Sequence, residues 1–272
     1  MNTNAQSPIG LFDSGIGGLT VANAILQQLP NESLVYFGDT AHLPYGDKSA
    51  DTIRYFTKTI GSFLLSKECK IIVIACNTAS SVAFEMLQQL AGDKAHVFNV
   101  IDAVVDEVIN RKYKNVGVIG TLGTVNSNAY KNKINAKNPN VNVHQLATPL
   151  LAPMIESGFV DGQISHLVIE EYLNAPSLHD IDTLVLACTH YPLIKKEIED
   201  FYAAKNKKVD VLATNEIVAV HIKKFMIENG IVNYEKKGRN TFYVSDYTES
   251  FEKTTQLFYR ESIDLIQMPL FK

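Results

Sequence analysis

The chain carries no long block of charge of one sign, no run close to the roughly 20 apolar residues of a membrane span, and no CxxC pair. The first absence leaves no electrostatic footprint for nucleic acid or an anionic membrane: 25 Lys and Arg stand against 29 Asp and Glu, a formal charge of -4. The second, with an opening MNTNAQSPIG that lacks both the basic start and the apolar run of a secretory signal, predicts a cytoplasmic protein with neither a membrane nor a nucleic acid among its partners. Cysteine is scarce. Cys69, Cys76 and Cys188, an odd number at wide spacing, argue against a disulfide scaffold, a thioredoxin-type site or a cysteine-held zinc, and leave free thiols.

What is present is a globular composition, 272 residues with 46% hydrophobic, enough to bury a core as one large domain or two small ones. Short apolar runs rich in β-branched residues predict buried strands at 9–12, 34–37, 71–75, 97–100, 116–119, 141–146, 184–187 and 209–212, with further candidates at 241–245 and 263–267. Helical patterns lie between them at 18–29, 50–65, 78–90, 104–111, 164–173, 193–203 and 216–229. Alternation of this kind predicts an α/β fold with parallel sheets covered on both faces.

Two segment pairs recur in the same order. Ile9-Gly-Leu-Phe-Asp-Ser14 resembles Val116-Gly-Val-Ile-Gly-Thr121, and Ile71-Ile-Val-Ile-Ala-Cys76 resembles Asp182-Thr-Leu-Val-Leu-Ala-Cys188. Each match alone is within reach of chance for short apolar strands; two in register predict duplicated halves. Each half then has one strand ending in Ala-Cys. Ligands of open α/β sheets bind beyond the carboxyl ends of the strands, so facing halves would bring both cysteines to one cleft.

Cys76 and Cys188 are each followed by hydrogen-bonding residues, Asn77-Thr78 and Thr189-His190, at the start of a helix, where amides and the helix dipole favour a thiolate and can cradle a carboxylate. The plainer alternative is a pair of buried structural cysteines. Cys69 has no such setting and reads as structural or incidental. The turn Asp13-Ser-Gly-Ile-Gly-Gly18 could hold an anion on its amides and Ser14, or be only a tight strand–helix connection; it lacks the ending of a P-loop and the spacing of a dinucleotide fingerprint. In the loop 38–46, His42 and Tyr45 read equally well as surface residues or as ligand contacts.

Taken together, FDSGIGG at 12–18, GDTAHLPYG at 38–46, ACNTAS at 75–80, GTLGTV at 120–125 and LACTHYPLI at 186–194 resemble, in order and over nearly the whole chain, the glutamate racemase family of the aspartate/glutamate racemase superfamily. That resemblance implies two similar flavodoxin-like three-layer domains with the active site in the cleft between them. The first would comprise 1–98 plus 211–272 and the second 99–210. It also implies a homodimeric isomerase without metal or cofactor that makes D-glutamate for peptidoglycan, and so for cell-wall biogenesis and cell shape.

By the same resemblance Cys76 and Cys188 are the two catalytic bases, Cys76 acting on D-glutamate and Cys188 on L-glutamate, tuned by Asp13 and His190 respectively. Substrate contacts fall on Asp13, Ser14, Tyr45, Gly46, Asn77, Thr78, Thr189 and His190, with Thr121 and Glu156 as further assignments. Thr148 departs from the family, which often carries Cys at that position, and puts the neighbouring Glu156 assignment in doubt. Inverting a tetrahedral carbon needs a base on each face, which two opposed thiols supply. A racemase of aspartate or a hydantoin, a noncatalytic binding protein on the same scaffold, and a thiol-dependent hydrolase are the competing readings; the hydrolase leaves the second cysteine without a task.

Overall fold

The computed structural model describes residues 4–235, 238–259 and 262–271. Its first half runs β1 (Ile9–Asp13), α1 (Leu19–Gln28), β2 (Leu34–Gly38), α2 (Ala50–Ser66), β3 (Ile71–Ile74), α3 (Asn77–Ala91), β4 (His96–Asn99) and α4 (Val100–Asn110). A second series follows: β5 (Asn115–Gly120), α5 (Leu122–Asn126), α6 (Ala129–Lys137), β6 (Asn142–Ala147), α7 (Leu151–Glu156), α8 (Gln163–Leu173), β7 (Thr183–Ala187), α9 (Lys195–Ala204) and β8 (Asp210–Ala213). The chain then passes through α10 (Thr214–Glu228), β9 (Thr241–Val244), α11 (Glu249–Phe258) and β10 (Leu265–Gln267).

The strands form two all-parallel sheets, ordered β10-β9-β2-β1-β3-β4 and β6-β5-β7-β8. Four consecutive strands of the first, ending at its β4 edge, repeat the order of the second, β2-β1-β3-β4 against β6-β5-β7-β8. The equivalent segments read from the sequence, β1 with β5 and β3 with β7, thus occupy the two central positions of that shared four-strand unit. β9 and β10 extend the first sheet beyond β2.

β1, β2, β3 and β7 are buried at every residue, which is why they read as unbroken apolar runs rather than alternating ones. Their side chains still divide by the period of two: Ile71 and Val73 join the main core, whereas Ile72 and Ile74 join a second cluster with Phe37, Ile53, Phe56 and Ile60 on the other face. Helix starts follow local chemistry. Ser49 caps α2 through the amide of Thr52, and Asn99 caps α4 through the amides of Ile101 and Asp102.

That Asn99 cap changes one sequence boundary, because Val100 opens α4 instead of closing β4, and the helix starts four residues before the expected 104. Helices α5, α6, α7 and α11 were not anticipated. α5 and α7 are 5 and 6 residues long, too short for a periodic signal, and α6 buries only Ala129, Tyr130 and Ile134, so its apolar stripe is thin. No helix among the described residues is long and apolar enough to cross a membrane.

Candidate functional site

In each sheet the chain leaves the second strand of the series and crosses to the other side of the first, so the carboxyl ends of β1 with β3, and of β5 with β7, form the switch points where α/β sheets bind ligands. Both switch points open on one cavity of about 220 Å³. Cys76, after β3, and Cys188, after β7, line it from the two halves. Ser14, Tyr45, Gly46, Asn77 and Thr78 join the first wall, and Thr121, Glu156, Thr189 and His190 the second. Sequence reasoning missed Leu43 and Pro44, and also Ala152 and Pro153 of α7, whose short helix gave no signal.

Cys76 is the N-cap of α3: its Sγ accepts from the amide of Ala79 at 3.4 Å, and its thiol donates to Ser14 Oγ at 3.6 Å. Burial, reinforced by the nearby Asp13 carboxylate, pushes this thiol up to about 12, so it rests protonated. Asp13 itself does not reach the cavity lining. It is fully buried one layer behind, where Oδ2 accepts from the amides of Gly15 at 3.2 Å and Gly18 at 2.9 Å while Oδ1 has no hydrogen-bond partner among the described residues. Burial raises its carboxyl above the usual range, against the opposing pull of His190 and those amides.

The second wall is built differently. Cys188 Sγ lies 3.6 Å from His190 Nδ1, and the opposite ring nitrogen, Nε2, lies 2.8 Å from Glu156 Oε1. Burial alone would hold the imidazole neutral, yet Cys188 and Glu156 together outweigh it and push His190 up to about 10. At neutral pH the imidazolium thus stands beside Cys188 as a ready partner for its thiolate. The site therefore holds an acid-form sulfur on one side and a base-supporting cluster on the other.

The halves touch tightly around this cavity. A Cβ on Gly17 would come within 2.5 Å of both His190 Cε1 and Thr189 Oγ1, so only glycine lets the first turn lie against the second wall. Thr20 Oγ1 donates to the Thr189 carbonyl at 2.9 Å, and Thr78 Oγ1 lies 2.8 Å from Thr121 Oγ1. Tyr45 is held by Asp39, whose Oδ2 accepts from its hydroxyl at 2.7 Å. His42 lies outside the lining, stacked on Phe56 with Nδ1 at 2.8 Å from Asp39. Cys69 is buried against Gly10, away from the cavity. Thr148 leaves the Glu156 geometry intact: its hydroxyl lies 2.7 Å from that of Tyr191, fully buried in the turn after Cys188.

Residues 9–222 match the Asp/Glu/Hydantoin racemase family. The chain is 41% identical to a glutamate racemase of Chlorobaculum parvum, over 93% of this chain and 92% of that one. With a glutamate racemase of Neisseria meningitidis serogroup C the identity is 38% over 98% of both. Among solved structures, the glutamate racemase of Francisella tularensis in complex with D-glutamate is similar at a TM-score of 0.90 and 40% identity, covering 98% of each chain.

Proposed function

The chain belongs to the Asp/Glu/Hydantoin racemase family, and within it to the glutamate racemases, and is an isomerase; from that premise we propose that it interconverts L- and D-glutamate by exchanging the Cα proton between Cys76 and Cys188, without a cofactor. The observation that carries this reading is the pair of thiols lining one cavity from the two halves, Cys76 beside Ser14 and Cys188 beside His190.

From L-glutamate, the Cys188 thiolate takes the Cα proton while the C–H electron pair passes to a carbanion flanked by the α-carboxylate. The Cys76 thiol then delivers its proton to the opposite face, giving D-glutamate with Cys188 as thiol and Cys76 as thiolate. The return direction runs the same steps backwards. Neither sulfur is a strong base, so the transition state needs fixed donors in a closed site. Ser14, Tyr45, Gly46, Asn77, Thr78, Thr121 and Thr189 supply hydroxyls and amides for the substrate. Asp13 tunes Cys76, and the Glu156–His190 pair tunes Cys188.

The bodies that close on the substrate are 1–98 plus 211–272 and 99–210; the second sheet runs slightly past that boundary, its last strand β8 ending at Ala213. The enzyme works in the cytoplasm as a homodimer and supplies D-glutamate for peptidoglycan, and so for cell shape.

Proton NMR of L- and of D-glutamate in deuterium oxide tests the mechanism, with wild type, Cys76→Ser and Cys188→Ser and no added cofactor. Cα deuteration and optical rotation should change for both enantiomers in the wild type and fall by several orders of magnitude in each variant. Exchange of aspartate or a hydantoin in place of glutamate would overturn the substrate, and an active serine variant would overturn the two-thiol mechanism.

A further inference from the structure

Asn77 opens α3 on the cavity wall and is 3% exposed. Its Oδ1 accepts a 2.7 Å hydrogen bond from the hydroxyl of Tyr130, which lies in α6 of the other half and is fully buried. Its Nδ2 is buried and has no hydrogen-bond partner among the described residues. The two ends of a carboxamide have nearly the same shape, so their neighbours decide which one faces the cavity. Turned the other way, the amide would donate to the Tyr130 oxygen and leave the hydroxyl proton unpaired, since among the described residues Asn77 is the only hydrogen-bond partner of that hydroxyl. It would also point a carbonyl oxygen at the space meant for an anion.

Burial keeps the Tyr130 hydroxyl protonated far beyond the ordinary range, so it stays a donor wherever the enzyme works. An unpaired buried N–H is costly unless something arrives to accept from it. Resting on the glutamate reading above, we propose that Tyr130 is a positioning residue: it fixes the Asn77 carboxamide with its amino group toward the cavity as a donor to a substrate carboxylate. The bond also runs between the two halves, so this donor is aimed only when they are docked.

Tyr130→Phe removes the hydroxyl and keeps the ring. The donor then loses its aim, and KM for both enantiomers rises about tenfold with kcat nearly unchanged, as expected when a contact made equally to ground and transition states weakens. Thermal stability distinguishes this from general damage, and a double-mutant cycle from simple packing: in an Asn77→Ala background, Tyr130→Phe should add nothing further to KM. The same penalty in both backgrounds, or wild-type KM in Tyr130→Phe, overturns the proposal. A substrate-free readout separates it from the choice of substrate. The Asn77 side-chain amide signals in a nitrogen-15 spectrum, identified by their loss in Asn77→Asp, should move in Tyr130→Phe; unmoved signals overturn the proposal even if wild type racemises glutamate, whereas moved signals in an enzyme inert to glutamate retire the substrate alone.

Discussion

His190 and Glu156 face each other at 2.8 Å, imidazole Nε2 to carboxylate, with Glu156 half open to the cavity mouth and His190 buried. Because the other ring nitrogen meets Cys188, the carboxylate acts on a sulfur it does not touch. Removing its charge is therefore expected to appear in the pH profile before it appears in the fold.

In Glu156→Gln the imidazolium loses one of the two groups that hold its pKa up to about 10, so the basic limb of kcat/KM moves to lower pH. The Glu156 side chain is 40% exposed, and water screens it, so the move is about half to one unit. The direction carries over to stability. A histidine whose folded pKa is raised stabilises the fold fully below its ordinary 6.5 and loses that contribution as pH climbs toward 10, and the variant should lose it earlier in that window. Rate profiles and melts between pH 6 and 10 measure both (the range is about that of the shift itself). Coincident basic limbs in wild type and variant would refute the coupling.

Gly17→Ala places a methyl 2.5 Å from His190 Cε1 and Thr189 Oγ1. His190 cannot step aside without leaving Glu156 or Cys188, so the methyl displaces a group that tunes the proton transfer. A loss of roughly 10²-fold in kcat is expected, the scale on which small misplacements act. Steady-state kinetics on a variant shown to be folded by circular dichroism decides it, and activity within a few-fold of wild type would mean that this wall is softer than its contacts imply.

Lys70 and Glu32 form an ion pair of 2.7 Å with both side chains buried, at the amino end of β3 and far from the cavity; Lys70 also donates to the Ile231 carbonyl and Glu32 accepts from the amide of Asn233. Lys70→Met strands a buried carboxylate and should cost about 3–5 kcal/mol in denaturant unfolding, with kcat of the folded enzyme unchanged. Pairing it with Glu32→Leu should recover much of the loss. A single variant as stable as wild type would show that the carboxylate had found another partner.

The strands were legible because burial on both faces writes a continuous apolar run, and the two Ala-Cys ends because each follows such a run directly. Helices α6 and α7 left little trace: one has a thin buried stripe, and the other is a single turn and a half holding Pro153. Asp13 was readable as a residue at a strand end but not as one held behind the cavity lining, because its placement depends on the amides of Gly15 and Gly18. The Tyr130–Asn77 bond joins residues 53 apart, and no local pattern announces it.

The two sheets share a strand order, and each brings one sulfur to the cavity. In the mechanism proposed, a lone copy of that unit could lend its thiol to only one side of the carbanion. It would trade the α-hydrogen with water and hand back the same enantiomer. In that mechanism, doubling the unit turns a catalyst of isotope exchange into a catalyst of handedness, and the copies differ where they meet the substrate, with Asp13 and Ser14 near one sulfur and His190 and Glu156 near the other.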